Sequence, residues 1–437
     1  MHPSIFLSAI NVVAGGDNTQ QQIQLLVLLL LVTLVVALIS RPLRLPYTLV
    51  LVIVGLCIGF SPLLPDLRLN PNVVLFLFLP ALLFEGAWNV DMKLLLENWL
   101  PVFFLAMPGL FFSVLAVAIL LHWGLGLSWL LVLLLGAIIS PTDPIAVLIL
   151  LRQLDLSDRL RTIVEGESLL NDGVGAAFFE LILGLLLLSL GGTGASQPVS
   201  FWADALEILW LLFGGLALGS IVGILTARLL RFVDDYLVEM TVTIGVAYGV
   251  YLLGTILNTS GLLAVVAAGL VLGSYGRQKG MSERTQQVTQ DIWEFFGYLA
   301  NSFLFLLLGV QIGESHLLQA LAGIGLAILG VVIGRAAMIY TLLPLQDALA
   351  RLVQRKTRLV RRSFLAPLAP LPPRWRPIFL FSGLRGALSI ALVLSLPSTL
   401  PEREFLQDIV YGVVLVTLLG QGIGLRVLLP QWKKGEP

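Results

Sequence analysis

The chain is poor in cysteine, histidine and charge, and each shortage excludes a class of protein. Cys57 is the only cysteine in 437 residues, which excludes intrachain disulfides and clusters of thiolate metal ligands. The three histidines lie at a terminus or near predicted loops, so they suggest no histidine-based zinc site or proton relay. Charged residues make up only 12% of the chain, about half the share in an average soluble protein.

The chain is correspondingly rich in apolar residues. They make up 58% of the chain, and the mean hydropathy is +0.97. A soluble protein has too much surface to cover with so few polar groups, so the composition predicts an integral membrane protein surrounded by lipid. The formal net charge is zero, which gives no reason to expect nucleic acid as a partner.

Thirteen segments are long and apolar enough to cross a bilayer as helices, since a spanning helix needs about 20 mostly apolar residues. The sequence therefore predicts an all-α polytopic membrane protein with about 13 transmembrane helices. The expected spans are residues 22–40, 45–64, 72–90, 98–122, 127–151, 160–188, 203–230, 237–257, 259–275, 291–313, 317–345, 376–397 and 406–430.

The distribution of basic residues predicts the orientation of these spans. Cytoplasmic loops collect Lys and Arg. If the N-terminus is outside, only Arg68 and Arg403 fall in outer loops, and almost every other basic residue falls on the inner side. We therefore expect the N-terminus outside and the C-terminus in the cytoplasm, in a plasma (inner) membrane. The basic segment 346–376 is expected to lie along the cytoplasmic lipid surface.

An odd number of spans permits two six-helix units of opposite orientation. Residues 1–21 are then an extracellular tail, and residues 431–437 a short cytoplasmic tail. Between them lies one transmembrane domain, residues 22–430. Its first repeat covers about 22–190, its linker helix about 203–230 and its second repeat about 237–430. This is the inverted-repeat arrangement of many secondary transporters.

Two motifs at matching positions of the repeats predict broken helices that cross. The fifth span contains "SPTDPIAVLIL" and the twelfth "SGLRGALSIAL", so Asp143 in one aligns with Arg385 in the other. Proline and glycine interrupt a helix at these points, and the interruption leaves half-helix ends inside the membrane. If the breaks cross, Asp143 compensates a pair of positive ends and Arg385 a pair of negative ends.

The stretch "EGESLLND" gathers charge inside the sixth span, where charge is costly and indicates function. Helical spacing divides it into two faces. Glu165, Ser168 and Asp172 share one face, and Glu167 and Asn171 share another. The role of Glu165 stays open, as does that of Glu180 farther along the span.

Asp172 is expected near the middle of the membrane. A carboxylate there avoids an uncompensated charge by binding either a proton or a small cation, for which hard oxygens are the preferred ligands. Because both use the same oxygens, they exclude each other, which is the basis of an exchanger. Thr142, Asp143 and Ser168 offer further oxygens, and Glu85 in the third span adds one, directly or through water.

Glu167 points away from this group, so it needs another partner. Arg335 in the eleventh span is the unassigned basic residue of suitable depth, and the sequence predicts a structural Glu167–Arg335 ion bridge.

The ordered motifs "SPTDPIAVL", "GESLLND" and "GLRGAL" resemble the sodium/proton exchangers of the monovalent cation:proton antiporter superfamily, in the branch with Asn-Asp in place of Asp-Asp. The resemblance covers about residues 25–430. It implies a secondary transporter without a cofactor, in which a mobile six-helix core moves against a dimerisation domain in a homodimer. It also implies electroneutral exchange of one Na⁺ (or Li⁺) for one H⁺.

The resemblance also implies roles for individual residues. It implies that ions and protons are bound by Asp172, Asp143, Thr142, Ser168, Asn171 and Glu85, with Na⁺ at the first four of these. Asn171 also marks the electroneutral branch. Two alternatives remain open from the sequence: a K⁺/H⁺ exchanger or channel on the same scaffold, and an intramembrane aspartyl enzyme that uses Asp143 and Asp172.

Overall fold

The computed structural model of the chain describes residues 16–43, 46–60, 69–143, 147–148, 151, 157–190, 201–233, 235–345, 347–348, 371–383 and 385–433. Every regular element in these ranges is helical, so the all-α prediction is confirmed for them. Residues 1–15 of the predicted tail 1–21, the segment 349–370 and residues 434–437 lie outside the described residues. Residues 16–21 of that tail are helical.

The main helices are numbered here in chain order. They are α1 (Gly16–Leu43), α2 (Tyr47–Gly59), α3 (Pro71–Asn89), α4 (Met92–Glu97), α5 (Trp99–Leu125), α6 (Trp129–Ile139), α7 (Asp158–Leu190), α8 (Phe201–Leu229), α9 (Tyr236–Ile256), α10 (Gly261–Gly276), α11 (Glu283–Glu314), α12 (Leu321–Leu345), α13 (Arg376–Phe381), α14 (Ala387–Leu394) and α15 (Arg403–Lys433).

Eight of the described helices are long and apolar enough to cross a membrane, and α2, α6 and α10 are shorter apolar helices. Large apolar side chains face outward along them. On α8, Trp210 is 58% exposed and Phe213 is 62% exposed. Such a surface is stable against lipid and not against water, so the prediction of a polytopic membrane protein is confirmed. The number thirteen and the inverted repeats stay predictions.

Both predicted helix breaks are present. Helix α6 ends at Ile139, and residues 140–143 continue without helical structure. Helices α13 and α14 are separated by a non-helical stretch that includes Gly386. A Cβ atom at Gly386 would collide with the side chain of Asp143, so the two breaks lie directly against each other.

The helices pack as two bundles. The first bundle consists of α5, α6, α7, α12, α13, α14 and α15, and the second of α1, α2, α3, α8, α9, α10 and α11. Packing is extensive within each bundle. Between them, α7 contacts α3, α8 and α10, α14 contacts α3 and α11, and α11 also contacts α15. Both broken segments belong to the first bundle, so any site at the breaks faces the boundary between the bundles.

Candidate ion-binding site

A cavity of about 490 Å³ lies at this boundary. The predicted site residues that line it are Glu85, Thr142, Asp143, Ser168 and Asp172. Glu85 comes from α3 of the second bundle. Thr142 and Asp143 come from the break after α6, and Ser168 and Asp172 come from α7. Structural elements from both bundles are therefore needed to build the cavity wall.

The cavity opens at the end of the molecule where α7 begins. Glu165, from the first two turns of α7, lines it, and so does Arg277, just beyond the end of α10. Asn89 and Glu294 at its rim are exposed. Glu165, which the sequence leaves without a role, therefore lies along the route between the surface and Asp172.

Asp172 lies among several charged side chains. Asp143, Glu167 and Arg385 are its charged neighbours, and a backbone group of Thr142 hydrogen-bonds its carboxylate. Its Oδ1 atom is buried and has no hydrogen-bond partner among the described residues. A buried polar atom normally has a partner, so this oxygen is suited to bind a proton or a cation.

The non-helical segment after α6 is held in place by α7. Ser168 donates a hydrogen bond from Oγ to the carbonyl oxygen of Thr142. The buried Asn171 donates from Nδ2 to Thr142 Oγ1 at 3.3 Å and to the Ser140 carbonyl at 3.5 Å. Asn171 is not among the cavity-lining residues, and its hydrogen bonds go to the break instead.

Glu85 is connected to a polar chain that sequence reasoning missed. Asn89 donates from Nδ2 to Glu85 Oε1 at 2.8 Å and accepts from Gln290 Nε2 at 3.2 Å. The same Gln290 nitrogen donates to Glu294 Oε1 at 2.9 Å. The spacing of Asn89, four residues after Glu85 on one helix, was a readable signal. No sequence signal pointed to Gln290 and Glu294 on α11, because their approach to Asn89 depends on the packing of α11 against α3.

Glu167 and Arg335 form a buried ion pair beside the site. Arg335 Nη1 lies 3.0 Å from Glu167 Oε1, and Nη2 lies 3.2 Å from Oε2. Only 1% of Glu167 and 5% of Arg335 are exposed. Arg335 also donates from Nε to the Phe379 carbonyl at 2.8 Å and from Nη2 to Ser382 Oγ at 3.0 Å. It therefore holds the end of α13 as well as α7.

Arg385 lies at the break between α13 and α14. It is 1% exposed and donates from Nη1 to the Gly383 carbonyl within the break. Glu167 and Asp172 are its acidic neighbours, and Arg335 is a basic one. The guanidinium thus lies beside both the end of α13 and the acidic cluster, and its compensation of the helix-end charge stays a prediction.

The contact of Gly386 with Asp143 leads to a testable prediction. A methyl group at this position would displace the Asp143 carboxylate, because the Cβ and the carboxylate cannot occupy the same space. Overpacking of this kind costs about 1–3 kcal/mol, so we expect Gly386→Ala to raise the KM for the transported cation by about tenfold. Initial rates in proteoliposomes at increasing cation concentration measure this.

Gly184→Ala on α7 is the matched control, since nothing lies within 4 Å of the added methyl group. Its KM should equal that of the unmodified protein. An unchanged KM in Gly386→Ala would mean that the position of Asp143 does not affect cation binding.

Comparisons with known proteins agree with this geometry. The profile of the family described as sodium/hydrogen exchanger, transmembrane, matches residues 27–431. The chain is 36% identical over 389 residues to the Na(+)/H(+) antiporter ApNhaP of Aphanothece halophytica, covering 88% of this chain and 69% of that protein. It is 33% identical over 371 residues to the Na(+)/H(+) antiporter NhaP of Pseudomonas aeruginosa, covering 84% of this chain and 82% of that protein.

A solved structure shares the fold. The sodium proton antiporter MjNhaP1 from Methanocaldococcus jannaschii superposes with a TM-score of 0.72 at 19% identity, covering 96% of this chain and 100% of that one. The relatives are named as antiporters, which are secondary transporters, so the prediction of a transporter is confirmed and the aspartyl-enzyme alternative is set aside. The chain belongs to the transmembrane sodium/hydrogen exchanger family.

Proposed function

We propose that the protein exchanges Na⁺ (or Li⁺) for H⁺ across a membrane, one for one, with the two ions competing for Asp172. One observation carries this proposal: a buried Asp172 oxygen, on the wall of a cavity that reaches the surface, has no hydrogen-bond partner in the part of the chain that the structure describes. The antiporter names of the relatives support the choice of ions.

Competition follows from the chemistry of the site. Na⁺ prefers oxygen ligands, and Asp172, Asp143, Thr142 and Ser168 are gathered around one point of the cavity wall. The carboxylate of Asp172 either binds a proton or coordinates the cation, because the same oxygen serves both. Glu85, on the opposite side of the cavity, adds an acceptor from the second bundle.

Alternating access of the elevator type fits the two-bundle packing. We propose that the first bundle carries the site past the second, since the breaks and α7 all belong to the first. Only loaded forms cross, because moving an uncompensated Asp172 carboxylate through the membrane is costly. The Glu167–Arg335 pair joins α7 to α12 and keeps the carrier rigid during this movement.

The remaining sequence predictions complete the proposal. We propose two inverted six-helix repeats, an outer N-terminus, a cytoplasmic C-terminus and a homodimer. The matched helix breaks support the repeats. The basic residues of the inner loops support the orientation. With that orientation, the cavity opens to the cytoplasm.

The test is proton flux from protein reconstituted in proteoliposomes, with Na⁺, Li⁺ and K⁺ offered in turn. Coupled proton flux driven by Na⁺ or Li⁺ is the expected result. Flux driven by K⁺ alone would replace the proposal with a K⁺/H⁺ exchanger, and cation flux without proton movement would point to a channel.

The one-for-one stoichiometry is a separate prediction. If one Na⁺ leaves for each H⁺ that enters, no net charge moves, and the exchange rate should stay the same when the membrane potential is clamped at 0 or at 100 mV. A cycle that moved one net charge would gain or lose about 2.3 kcal/mol per 100 mV. Na⁺-driven proton flux at the two clamped potentials, set with K⁺ and valinomycin, separates these cases.

A further inference from the structure

A second carboxylate on α7 has a partner that the proposed exchange does not use. Glu180 lies eight residues beyond Asp172, about 12 Å along the helix axis, in the direction away from the cavity opening. Ser260 donates a hydrogen bond from Oγ to Glu180 Oε2 at 3.0 Å. The sequence left open whether this glutamate is a pathway residue or a solvated helix end.

Ser260 is firmly held in the second bundle. It is the N-cap of α10, and its Oγ accepts a hydrogen bond from the Leu263 amide at 3.3 Å. Its own amide donates to the Leu211 carbonyl of α8 at 3.0 Å. The bond to Glu180 therefore connects a fixed point of the second bundle with the α7 helix of the first.

An apolar cluster closes the bundle boundary at the same end. Val174 and Ala177 of α7 and Leu110 of α5 pack with Leu263 of α10, and partly buried leucines of α8 surround them. This cluster consists of apolar side chains, whereas the cavity is lined by carboxylates and opens toward the start of α7. One end of the boundary is thus closed and the other open.

We propose that the Ser260–Glu180 hydrogen bond is a latch that favours this arrangement, with both residues acting as positioning residues of the transport cycle. The inference rests on the proposed function, because alternating access requires the closed end to open later in the cycle. When it does, α7 moves relative to α10, and Glu180 must separate from Ser260. A hydrogen bond that exists in only one of two arrangements stabilises that arrangement, so it shifts the balance between them.

Two variants remove the latch from opposite sides. Glu180→Ala deletes the acceptor, and Ser260→Gly deletes the donor while keeping a residue that tolerates the N-cap position. Each is combined with Cys57→Ser and with one reporter cysteine. Ala177→Cys reports on the closed end, where Ala177 is fully buried, and Leu169→Cys reports on the cavity wall.

The readout is the labelling rate of each reporter by a membrane-impermeant maleimide, in proteoliposomes of defined orientation. Without the latch, Ala177→Cys should label up to about tenfold faster. Leu169→Cys should label more slowly, but by a smaller factor, because the two populations sum to one and the cavity-open form is the major one. Opposite changes at the two ends are a signature that general loosening does not produce. The double variant Glu180→Ala/Ser260→Gly should shift the rates no further than either single variant.

Unchanged rates in both variants, faster labelling at both reporters, or additive effects in the double variant would overturn the latch. Na⁺-driven proton flux is measured in vesicles prepared in the same way from protein that keeps both Glu180 and Ser260. If that flux is absent, the proposed exchange fails whatever the labelling shows. If it is present and the labelling is unchanged, only the latch fails.

Discussion

Asp172→Asn is expected to abolish the exchange of cations for protons. The asparagine amide has nearly the shape of the carboxylate. However, it does not take up a proton near neutral pH, and it offers no negatively charged oxygen to a cation. Both loaded forms of the carrier are lost together, so no residual coupled flux should remain. The measurement is proton flux in proteoliposomes carrying a Na⁺ gradient, followed with a pH-sensitive dye inside the vesicles.

Asp158→Asn is the matched control on the same helix. The Asp158 side chain is 79% exposed, and its Oδ1 lies 3.4 Å from Arg161 Nη1. An exposed ion pair of this kind contributes about 0–1 kcal/mol, so this variant should exchange at close to the unmodified rate. If Asp172→Asn, shown to be folded by its thermal stability, still exchanged Na⁺ for H⁺, competition at Asp172 would be the wrong mechanism.

Local periodicity was enough to predict which face of α7 lines the cavity. Ser168 and Asp172 are four residues apart, and both line the cavity, while Glu167 pairs with Arg335 on another side of the helix. The two helix breaks were also predictable, since proline and glycine act on the backbone within a few residues. In both cases the cause and its effect lie within a few residues along the chain.

Contacts between distant segments were mostly beyond sequence reasoning. The Asn89–Gln290 bond joins residues of α3 and α11, and the Ser260–Glu180 bond joins α10 and α7. Serine, asparagine and glutamine form hydrogen bonds with many partners, so residue type alone does not select one. An arginine and a glutamate inside apolar spans are different, because burial leaves each of them few alternatives to the other.

Arg335 had more functions than its ion pair indicated. Its guanidinium binds Glu167, the Phe379 carbonyl and Ser382 Oγ at once, and so joins three helices of the first bundle. Arginine carries five donors in a fixed plane, which allows several acceptors to be satisfied by one side chain. The sequence of α13 does not indicate that the Phe379 carbonyl near its end accepts a hydrogen bond from the Arg335 guanidinium.

Arg335→Met is therefore expected to produce the largest loss of stability. The substitution replaces the guanidinium by an unbranched apolar side chain and leaves Glu167, which is 1% exposed, without its ion-pair partner. Breaking a buried pair by removing one partner costs about 3–5 kcal/mol. The thermal unfolding midpoint of the purified protein in detergent should fall strongly, with transport lost through unfolding of the carrier and not through loss of an ion ligand.

A double variant separates the charge effect from the loss of packing. Glu167→Leu/Arg335→Met removes both charges, so its midpoint should lie above that of Arg335→Met alone, although the Phe379 carbonyl still lacks its donor. Arg161→Met, which breaks the exposed pair with Asp158, should change the midpoint little. Glu167→Leu alone completes the comparison. If the fall in midpoint of the double variant equalled the sum of the falls in Glu167→Leu and Arg335→Met, the two residues would contribute independently. In that case Arg335 would stabilise the first bundle through its hydrogen bonds to the Phe379 carbonyl and Ser382 Oγ and not through its ion pair. Those hydrogen bonds are lost in every variant that lacks the guanidinium.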